Sequence, residues 1–440
     1  MSEPRDYDAD RRAAEAALDG EGAGAEAAFQ RFRWHLWYPV APPLPAPKLG
    51  EALALFARIL AALGDRTLAD AVARASTDTQ DPDALYDAGY ALIDAGLPAV
   101  AATVLARCLE VVPGSEDVVT ELSAALERCL LYADAQKLLE AHPHLIQSSF
   151  LCRYLLAYNA AMAGDLATTR AQAASLAGDD DTERVMTARI TGFLERADRV
   201  AGIARLDRTD LRGWHYVLTG GLLAHLSPYG FEEPMRGRYA WLQDSIARVK
   251  TGLDRLRAAL TAWELEVPCV YAPPGRDHEI LAEAASRVIG VPVAPWPAVG
   301  VPAPGLVVAY DLGGVGAREL ERLIDRRPGQ IVYTHACPWT QDSAIAPEIT
   351  TLLHQSLTAP WGSRLIVDRA SGAARPSPED DRDPGAIADE IAASAGLDAE
   401  EAGKDDLAGW EQLLRAAGPP VAGRRERLWA GSPVASSKFE

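Results

Sequence analysis

The feature that most constrains this chain is a helical apolar period that runs over residues 50 to about 207. Apolar residues recur there at steps of three and four, the spacing of one face of an α-helix. Turns such as AGLP, VVPGS and AGD separate the helices. The pattern also repeats at a longer step, because Ala101 and Leu105 are followed 34 positions later by Ala135 and Leu139. A repeat of this length predicts stacked helix pairs rather than a single globular core.

The repeat pattern is clearest in residues 83–113, DALYDAGYALIDAGLPAVAATVLARCLEVVP. Its first helix carries Gly89 four positions after Leu85, and its second helix carries the small residue Ala101. Two helices cross closely only where such a residue lacks bulk. The pattern resembles a tetratricopeptide repeat. The resemblance implies a helical solenoid whose groove binds a peptide or another protein, and a solenoid that only supports its own C-terminal domain is the alternative.

From Glu266 onward, the short apolar runs VPCVY, VPVAP, GLVVAY and QIVYTHACP alternate with helical stretches. Such alternation predicts a parallel sheet with helices on its faces. The expected fold class is therefore a multidomain chain, with a helical solenoid followed by a small parallel-sheet α/β domain. The predicted divisions are an N-terminal helix and aromatic, proline-rich strap (1–48), the repeat domain (49–207), an aromatic connector with the α/β domain (208–365), and an acidic linker with C-terminal helices and tail (366–440).

The run GLVVAY is followed by Asp311 and a glycine-rich turn, DLGGVG. Together with the loop APPGRD after the first strand, this order resembles a phosphoribosyltransferase-type fold. The resemblance implies a ribose phosphate bound at the carboxyl ends of the strands. The turn departs from the family pattern, because Tyr310 replaces a second acidic residue and glycines replace hydroxyl-bearing residues. We therefore expect a domain that binds an anionic or nucleotide-like ligand without catalysis, the alternative being an enzyme with a divergent phosphoribosyl or nucleotide site.

The predicted ligand site combines these two loops with arginines from the aromatic connector. Backbone amides of a glycine-rich turn bind anions, and guanidinium groups match phosphate or carboxylate. A side chain at Gly314 is expected to block close backbone approach and to strain a positive φ. The connector arginines have a structural alternative, pairing with Glu232 and Glu233. The predicted ligand-binding residues are Pro274, Gly275, Arg276, Asp311, Gly313, Gly314, Gly316, Arg236 and Arg238.

A catalytic alternative comes from YTHACPWTQD, which places His335 two residues before Cys337 near a strand end. Alternate residues of a strand share a face, so this histidine can activate the thiol. Ala336 and Cys337 resemble the nucleophile fragment of caspase-like domains, which implies a cysteine hydrolase, although the upstream His-Gly of that family is missing. The candidate catalytic residues are Asp311, His335 and Cys337, and a structural strand end beside Trp339 is the alternative.

Charge and composition limit the possible partners. The 440 residues have a formal net charge of −19 and no basic block, which argues against a nucleic-acid partner. No apolar run approaches the roughly 18 residues of a membrane span, and MSEPRDYDADRR lacks the apolar core of a signal peptide. The five cysteines are widely spaced without CxxC, which favours neither a disulfide framework nor a zinc site. We expect a cytoplasmic, bacterial-type adaptor protein without metal or cofactor.

Overall fold

A computed structural model describes residues 6–20, 24–39, 43–228, 235–367, 374–398 and 405–436. The predicted fold class is confirmed, because helices occupy the N-terminal part and a parallel sheet with helices occupies the C-terminal part. The chain divides into two compact units, Met1–Ile190 and Thr191–Glu440. In the described residues, no helix is both long and apolar enough to cross a membrane.

The first unit is built from helices joined by short turns. Its helices are α1 (Tyr7–Leu18), α2 (Gly24–Phe32), α3 (Ala46–Ala62), α4 (Arg66–Thr77), α5 (Pro82–Asp94), α6 (Pro98–Val111), α7 (Glu116–Arg128), α8 (Tyr132–Glu140), α9 (Pro143–Ser148), α10 (Phe150–Ala163) and α11 (Leu166–Ala173). Helix α12 (Asp181–Arg199) continues past the division at Ile190. The pairs α3–α4, α5–α6 and α7–α8 each pack internally and on the next pair, so the unit is solenoid-like.

The helix boundaries follow from local chemistry. The side chains of Asp65, Asp81 and Asp165 accept hydrogen bonds from first-turn amides of α4, α5 and α11, which satisfies donors that a helix leaves unpaired. Pro82 stands at the first position of α5, where a missing N–H is harmless. Gly164 ends α10 with φ of 86°, a conformation that favours glycine. The sequence therefore specifies these ends locally.

Gly89 lies where α5 crosses α6. A Cβ at this position would lie 2.5 Å from the buried side chain of Leu105, so only glycine permits the crossing at this separation. Leu85, Leu92 and Ala101 are fully buried beside it. They belong to one apolar core that extends from α1 to α8. The close packing expected from the small residues is present at this pair of helices.

The aromatic strap packs on α6 within the first unit. It begins as one turn of 3-10 helix at Arg33–Leu36. The carbonyl of Leu36 accepts a hydrogen bond from Thr103 Oγ1 at 2.9 Å, and the amide of Tyr38 donates to the carbonyl of Ala99 at 3.0 Å. These bonds hold the strap against the second helix of the clearest repeat.

The second unit contains a parallel sheet. Its helices are α13 (Leu211–Thr219), α14 (Ile246–Ala262), α15 (Arg276–Ile289), α16 (Ala317–Glu321), α17 (Pro384–Ala393) and α18 (Leu407–Ala417). Its strands are β1 (Leu222–Leu223), β2 (Tyr239–Gln243), β3 (Val270–Tyr271), β4 (Val293–Ala294), β5 (Gly305–Asp311), β6 (Asp325–Arg326), β7 (Gln330–Pro338), β8 (Ile349–Thr358), β9 (Leu365–Val367), β10 (Ala374–Pro376) and β11 (Gly423–Arg424).

The main sheet has the strand order β1-β8-β7-β5-β3-β4, and β2 also pairs with β8. Every pairing in this sheet is parallel. Along the chain, β1 and β2 come first and pair with β8 at one edge of the sheet. After β3, strand β4 lies on one side of it, and β5, β7 and β8 follow in order on the other side. The direction of winding therefore reverses between β3 and β5, which makes this the topological switch point of an open parallel sheet.

Three features of this unit were not predicted from the sequence. Strands β2 and β8 were not expected, although β8 is an inner strand. The helix after the glycine-rich turn is short and ends at Glu321, and β6 follows it, paired antiparallel with β11. Leu365–Val367 forms β9, which pairs with β10 in a ribbon outside the main sheet.

Candidate functional site

A candidate ligand site lies at the edge of the sheet where β3 and β5 end. Ligands of open parallel sheets bind at the carboxyl ends of strands, where the winding reverses. Here β3 leads to Pro274–Arg276 and β5 leads to Leu312–Gly316. Gly275, Gly313 and Gly314 are exposed. The two loops predicted to bind a ligand therefore occupy the switch point of the sheet.

His278 joins these two loops. Its Nδ1 accepts a hydrogen bond from the amide of Tyr310 at 3.0 Å. A Cβ at Gly275 would lie 3.0 Å from the ring, and one at Gly314 would lie 3.7 Å from it. Burial lowers the pKa of His278, which fits an unprotonated Nδ1 that accepts. The structure thus brings both glycine loops together around a neutral imidazole.

The positions in the two loops differ in how strictly they require glycine. Gly275 has φ of 139°, and any Cβ there meets His278. The φ of Gly314 lies outside the left-handed region, so the strain expected there is not found. A Cβ at Gly316 would meet no atom within 4 Å, and one at Gly313 would lie 3.3 Å from Pro338. The backbone conformation therefore requires glycine in the loop after β3, at Gly275, and not at Gly314.

The first turn of α15 is bound by neighbouring segments. The guanidinium of Arg276 donates from Nη2 to the carbonyls of Asp380 at 2.7 Å and Arg382 at 2.8 Å. The indole of Trp361 donates to Asp277 at 2.6 Å, and its ring lies 4.9 Å from that of Tyr310. Arg276 thus holds the chain before α17, and Trp361 packs over the end of β5.

The two connector arginines lie by other cavities. Arg238 is buried, donates from Nη2 to the carbonyl of Val434 at 2.9 Å, and lies over Trp339. Arg236 donates to the carbonyl of Arg208 and lines a cleft of about 300 Å³ near the start of α13. The structure does not bring these guanidinium groups to the glycine loops through any contact of the described residues. The alternative partners Glu232 and Glu233 lie outside those residues.

A buried polar cluster lies beneath this edge, centred on Asp244 at the end of β2. Its carboxylate accepts from Tyr310 Oη at 2.8 Å, from His335 Nε2 at 2.9 Å and from Arg248 Nη1 at 3.1 Å. Burial alone raises the pKa of a carboxyl group, but His335 and Arg248 outweigh it and lower the pKa of Asp244 to about 2. Burial and the nearby Asp244 raise the pKa of Tyr310. Sequence reasoning did not find this cluster.

Helix α14 packs directly against this polar cluster. A Cβ at Gly252 would lie 2.6 Å from Thr351 Oγ1, 2.7 Å from Tyr333 Oη and 3.0 Å from His335 Nδ1. His335 and Tyr333 are fully buried. A general base needs its free nitrogen within reach of a substrate, and here that nitrogen faces a helix. The cluster therefore fixes α14 and the carboxyl edge of the sheet together.

Cys337 is fully buried, and its Sγ lies 3.5 Å from Thr350 Oγ1. Burial raises the pKa of this thiol, which opposes the thiolate that a nucleophile requires. The Nε2 of His335 is bound to Asp244 rather than to the thiol. Asp311 remains partly exposed, and its Oδ1 lies 3.1 Å from His354 Nε2 and accepts from the amide of Gly313. These contacts organise the end of β5 and leave no activated thiol at this edge.

A second buried network, also missed by sequence reasoning, is centred on Asp405. Its carboxylate lies 2.6 Å from Arg212 Nη2, 2.5 Å from Arg255 Nη1 and 2.9 Å from His225 Nδ1. The Nε2 of His225 in turn lies 2.9 Å from the hydroxyl of Tyr239. This network ties the segment before α18 to α13, α14 and β2. Among the described residues, no group of three or more His, Cys, Asp or Glu side chains is arranged to hold a metal.

In the helical unit, α4 and α5 border an open cleft of about 670 Å³. Tyr90 lines it with half of its surface exposed, and Tyr86 lies one turn earlier. Partial burial and the charges of Glu121 and Asp117 raise the pKa of Tyr86, so acidic side chains of α7 lie nearby. We call this surface the tyrosine cleft. Its lining residues are Thr67, Asp70, Ala71, Arg74, Tyr86, Asp87, Tyr90 and Ala91.

The fold defines a class of chain in which a solenoid-like helical unit precedes an α/β unit with a parallel sheet. No protein-family model, no curated protein and no solved structure matches this chain. The resemblances to tetratricopeptide repeats and to phosphoribosyltransferases therefore depend on the residues quoted above and on the geometry of the two units.

Proposed function

We propose that this chain is an adaptor protein of the tetratricopeptide type that binds a segment of another protein in the tyrosine cleft. The observation that carries the proposal is the half-exposed Tyr90 in an open cleft of about 670 Å³. Exposed aromatic side chains in a cleft supply large contact area at a small entropic cost. By contrast, the titratable groups Asp244, His335 and Cys337 of the α/β unit are buried in internal contacts. The exposed chemistry thus favours binding over catalysis.

Charge indicates the kind of segment that fits. Asp70 and Asp87 line the tyrosine cleft, and the charges of Asp117 and Glu121 act on Tyr86 beside it. The lining contributes one cation, Arg74, which lies 3.2 Å from Asp87. Acidic groups attract a basic segment, and tyrosine faces bind lysine or arginine by cation–π contact. We therefore propose a partner segment that carries lysine or arginine.

Replacing Tyr86 and Tyr90 together with alanine is expected to weaken binding of lysine- and arginine-rich peptides at least tenfold. Truncation of an aromatic anchor at an interface removes on the order of 1–2 kcal/mol or more of binding free energy. The measurement is fluorescence anisotropy of labelled peptides of opposite charge, at two salt concentrations. Binding should be stronger for basic than for acidic peptides and should weaken as salt rises.

The control variant is Leu151→Ala, which truncates another exposed apolar residue of the helical unit, on α10. It should leave peptide affinity unchanged. Equal affinity of the double tyrosine variant and the unaltered protein, or a preference for acidic peptides, would contradict the proposal. Circular dichroism of each variant separates lost binding from lost helix.

The second candidate is an anion site at the glycine loops of the α/β unit. The convergence of Gly275 and Gly314 on His278 at the switch point favours it, because amides of the first turn of α15 face this edge. Such a site suits a phosphate-bearing ligand. The enzyme alternative depends on the same site, with Asp311 as its partly exposed acid.

Gly275→Ala is expected to abolish any thermal stabilisation of the protein by phosphate or phosphoribosyl diphosphate. Alanine rarely adopts φ of 139°, and its Cβ would lie 3.0 Å from His278, so the loop must shift. Gly300→Ala is the matched control, because φ there is 81° but a Cβ meets no atom within 4 Å. Thermal unfolding with and without ligand gives the measurement. Ligand stabilisation that survives in the Gly275 variant would exclude this loop as the site.

A further inference from the structure

We infer that the α/β unit holds a small inorganic anion in a partly enclosed cavity lined by His215 and Arg238. This cavity is separate from both the glycine loops and the tyrosine cleft. Its volume is about 30 Å³. Among the residues that line it are His215, Arg238, Trp339 and Trp429.

Two of the residues that line this cavity each have a buried polar atom without a hydrogen-bond partner among the described parts of the chain. They are Nη1 of Arg238 and Nε2 of His215. Arg238 is only 2% exposed and His215 only 6% exposed. Buried polar groups in proteins are almost always hydrogen-bonded, so two such atoms on residues that line one cavity indicate a missing occupant.

The charge of Arg238 decides what kind of occupant fits. Its Nη2 donates to the carbonyl of Val434, and no carboxylate of the described residues forms an ion pair with it. Burial and the neighbouring Arg236 lower the pKa of Arg238 to about 10, which still leaves it charged at neutral pH. An isolated buried charge is strongly unfavourable, and an anion beside the guanidinium offsets that cost. A water molecule satisfies the hydrogen bonds but leaves the charge uncompensated.

Size and donor pattern narrow the class of anion. A single water molecule needs a cavity of only about 10–15 Å³, so this cavity accepts a species a little larger than water. Burial and the charge of Arg238 lower the pKa of His215 to about 4, so its ring is neutral near pH 7. The tautomer with its proton on Nε2 donates to an anion opposite Arg238. These features fit a halide-sized monovalent anion such as chloride.

The C-terminal segment 428–434 closes the cavity. The amide of Ala430 donates to Asp342 at 2.9 Å, Leu428 bridges to Ser343, and the carbonyl of Val434 accepts from Arg238. An anion bound beneath this segment contacts the same guanidinium that holds Val434. A ligand that binds only the folded state stabilises that state, so the anion should stabilise the segment 428–434 in its closed position.

The test measures thermal unfolding of the full chain at constant ionic strength while chloride replaces gluconate. At chloride concentrations well above the dissociation constant, the midpoint of thermal unfolding should rise by about 3–5 °C for each tenfold increase in chloride. Arg238→Met, which removes the charge but keeps an unbranched side chain, should abolish the response. Arg415→Met, at an exposed arginine, should retain it. Tryptophan fluorescence should change with bromide in the unaltered protein, since Trp339 and Trp429 line the cavity.

A crystal soaked in bromide supplies the second measurement, which remains informative if the arginine variant fails to fold. An anomalous peak between Arg238 Nη1 and His215 Nε2 supports the inference. Equal midpoints in chloride and gluconate overturn it, as does a chloride response that persists in the methionine variant. A soaked crystal that shows only water in the cavity also overturns it.

Discussion

Replacing Asp405 with alanine is expected to lower the free energy of unfolding of the α/β unit by about 3–5 kcal/mol. The side chain of Asp405 is fully buried and contacts Arg212, Arg255 and His225. Its removal leaves two guanidinium groups buried without their anion, which costs far more than the loss of a surface ion pair. Urea denaturation followed by tryptophan fluorescence measures the difference.

The adjacent aspartate provides a control. Asp406 is exposed, and its carboxylate caps α18 by accepting from the amide of Gly409 at 2.9 Å. Asp406→Ala should therefore cost about 1 kcal/mol, the usual value of a helix cap. Similar losses for the two variants would show that the buried network contributes little beyond local capping. The pairing of Asp405 with the two arginines would then be an arrangement that the fold tolerates rather than requires.

Much of the fold was predictable because local pattern and tertiary packing agree. The run QIVYTHACP coincides with β7, and the residues of GLVVAY lie in β5. In the helical unit, the glycine at position 89 marked a close crossing that the structure contains. Apolar runs of this kind are buried on both faces of a parallel sheet, which is why they stand out in sequence.

The missed elements are those in which tertiary contacts override local pattern. Strand β8 contains Thr350, Thr351 and His354, all buried, so its sequence does not read as an apolar run. Polar side chains are tolerated there because each finds a partner inside, such as the hydroxyl of Tyr333 for Thr351. Helix α14 begins only at Ile246, because Ser245 caps it and the preceding residues 239–243 pair with β8.

The candidate site was predictable only where topology alone brings residues together. Loops that follow neighbouring parallel strands meet at one edge, so Gly275 and Gly314 were expected to converge. Asp244 and Asp405 had no such signal. Two of the partners of Asp244, Tyr310 and His335, lie 66 and 91 residues away, and His225 lies 180 residues before Asp405. Pairings over such separations depend on the finished fold and leave no local spacing to detect.

Replacing Asp244 with alanine is the second change with a large expected effect, a loss of about 3–5 kcal/mol in unfolding free energy at pH 7. The change removes the shared acceptor of Tyr310, His335 and Arg248 in a fully buried setting. Two hydrogen-bond donors and one guanidinium would then be left without their partner. The loss should appear in urea denaturation as a lower midpoint with an unchanged slope, if the variant still unfolds in one step.

Acidification gives the same prediction a second readout. The pKa of Asp244 falls from the ordinary value of 3.8 to about 2 in the folded protein, so its contribution is complete above about pH 4 and declines as pH falls towards 2. This difference in pKa corresponds to about 2 kcal/mol of unfolding free energy. Between about pH 4 and pH 2, the alanine variant should therefore lose less stability than the unaltered protein. Asp254→Ala, which removes an aspartate on α14 paired with Lys250 and Arg257, should cost under about 1 kcal/mol. If the Asp244 and Asp254 variants lose equal stability at pH 7 and respond alike to acid, the buried carboxylate does not hold α14 on the sheet.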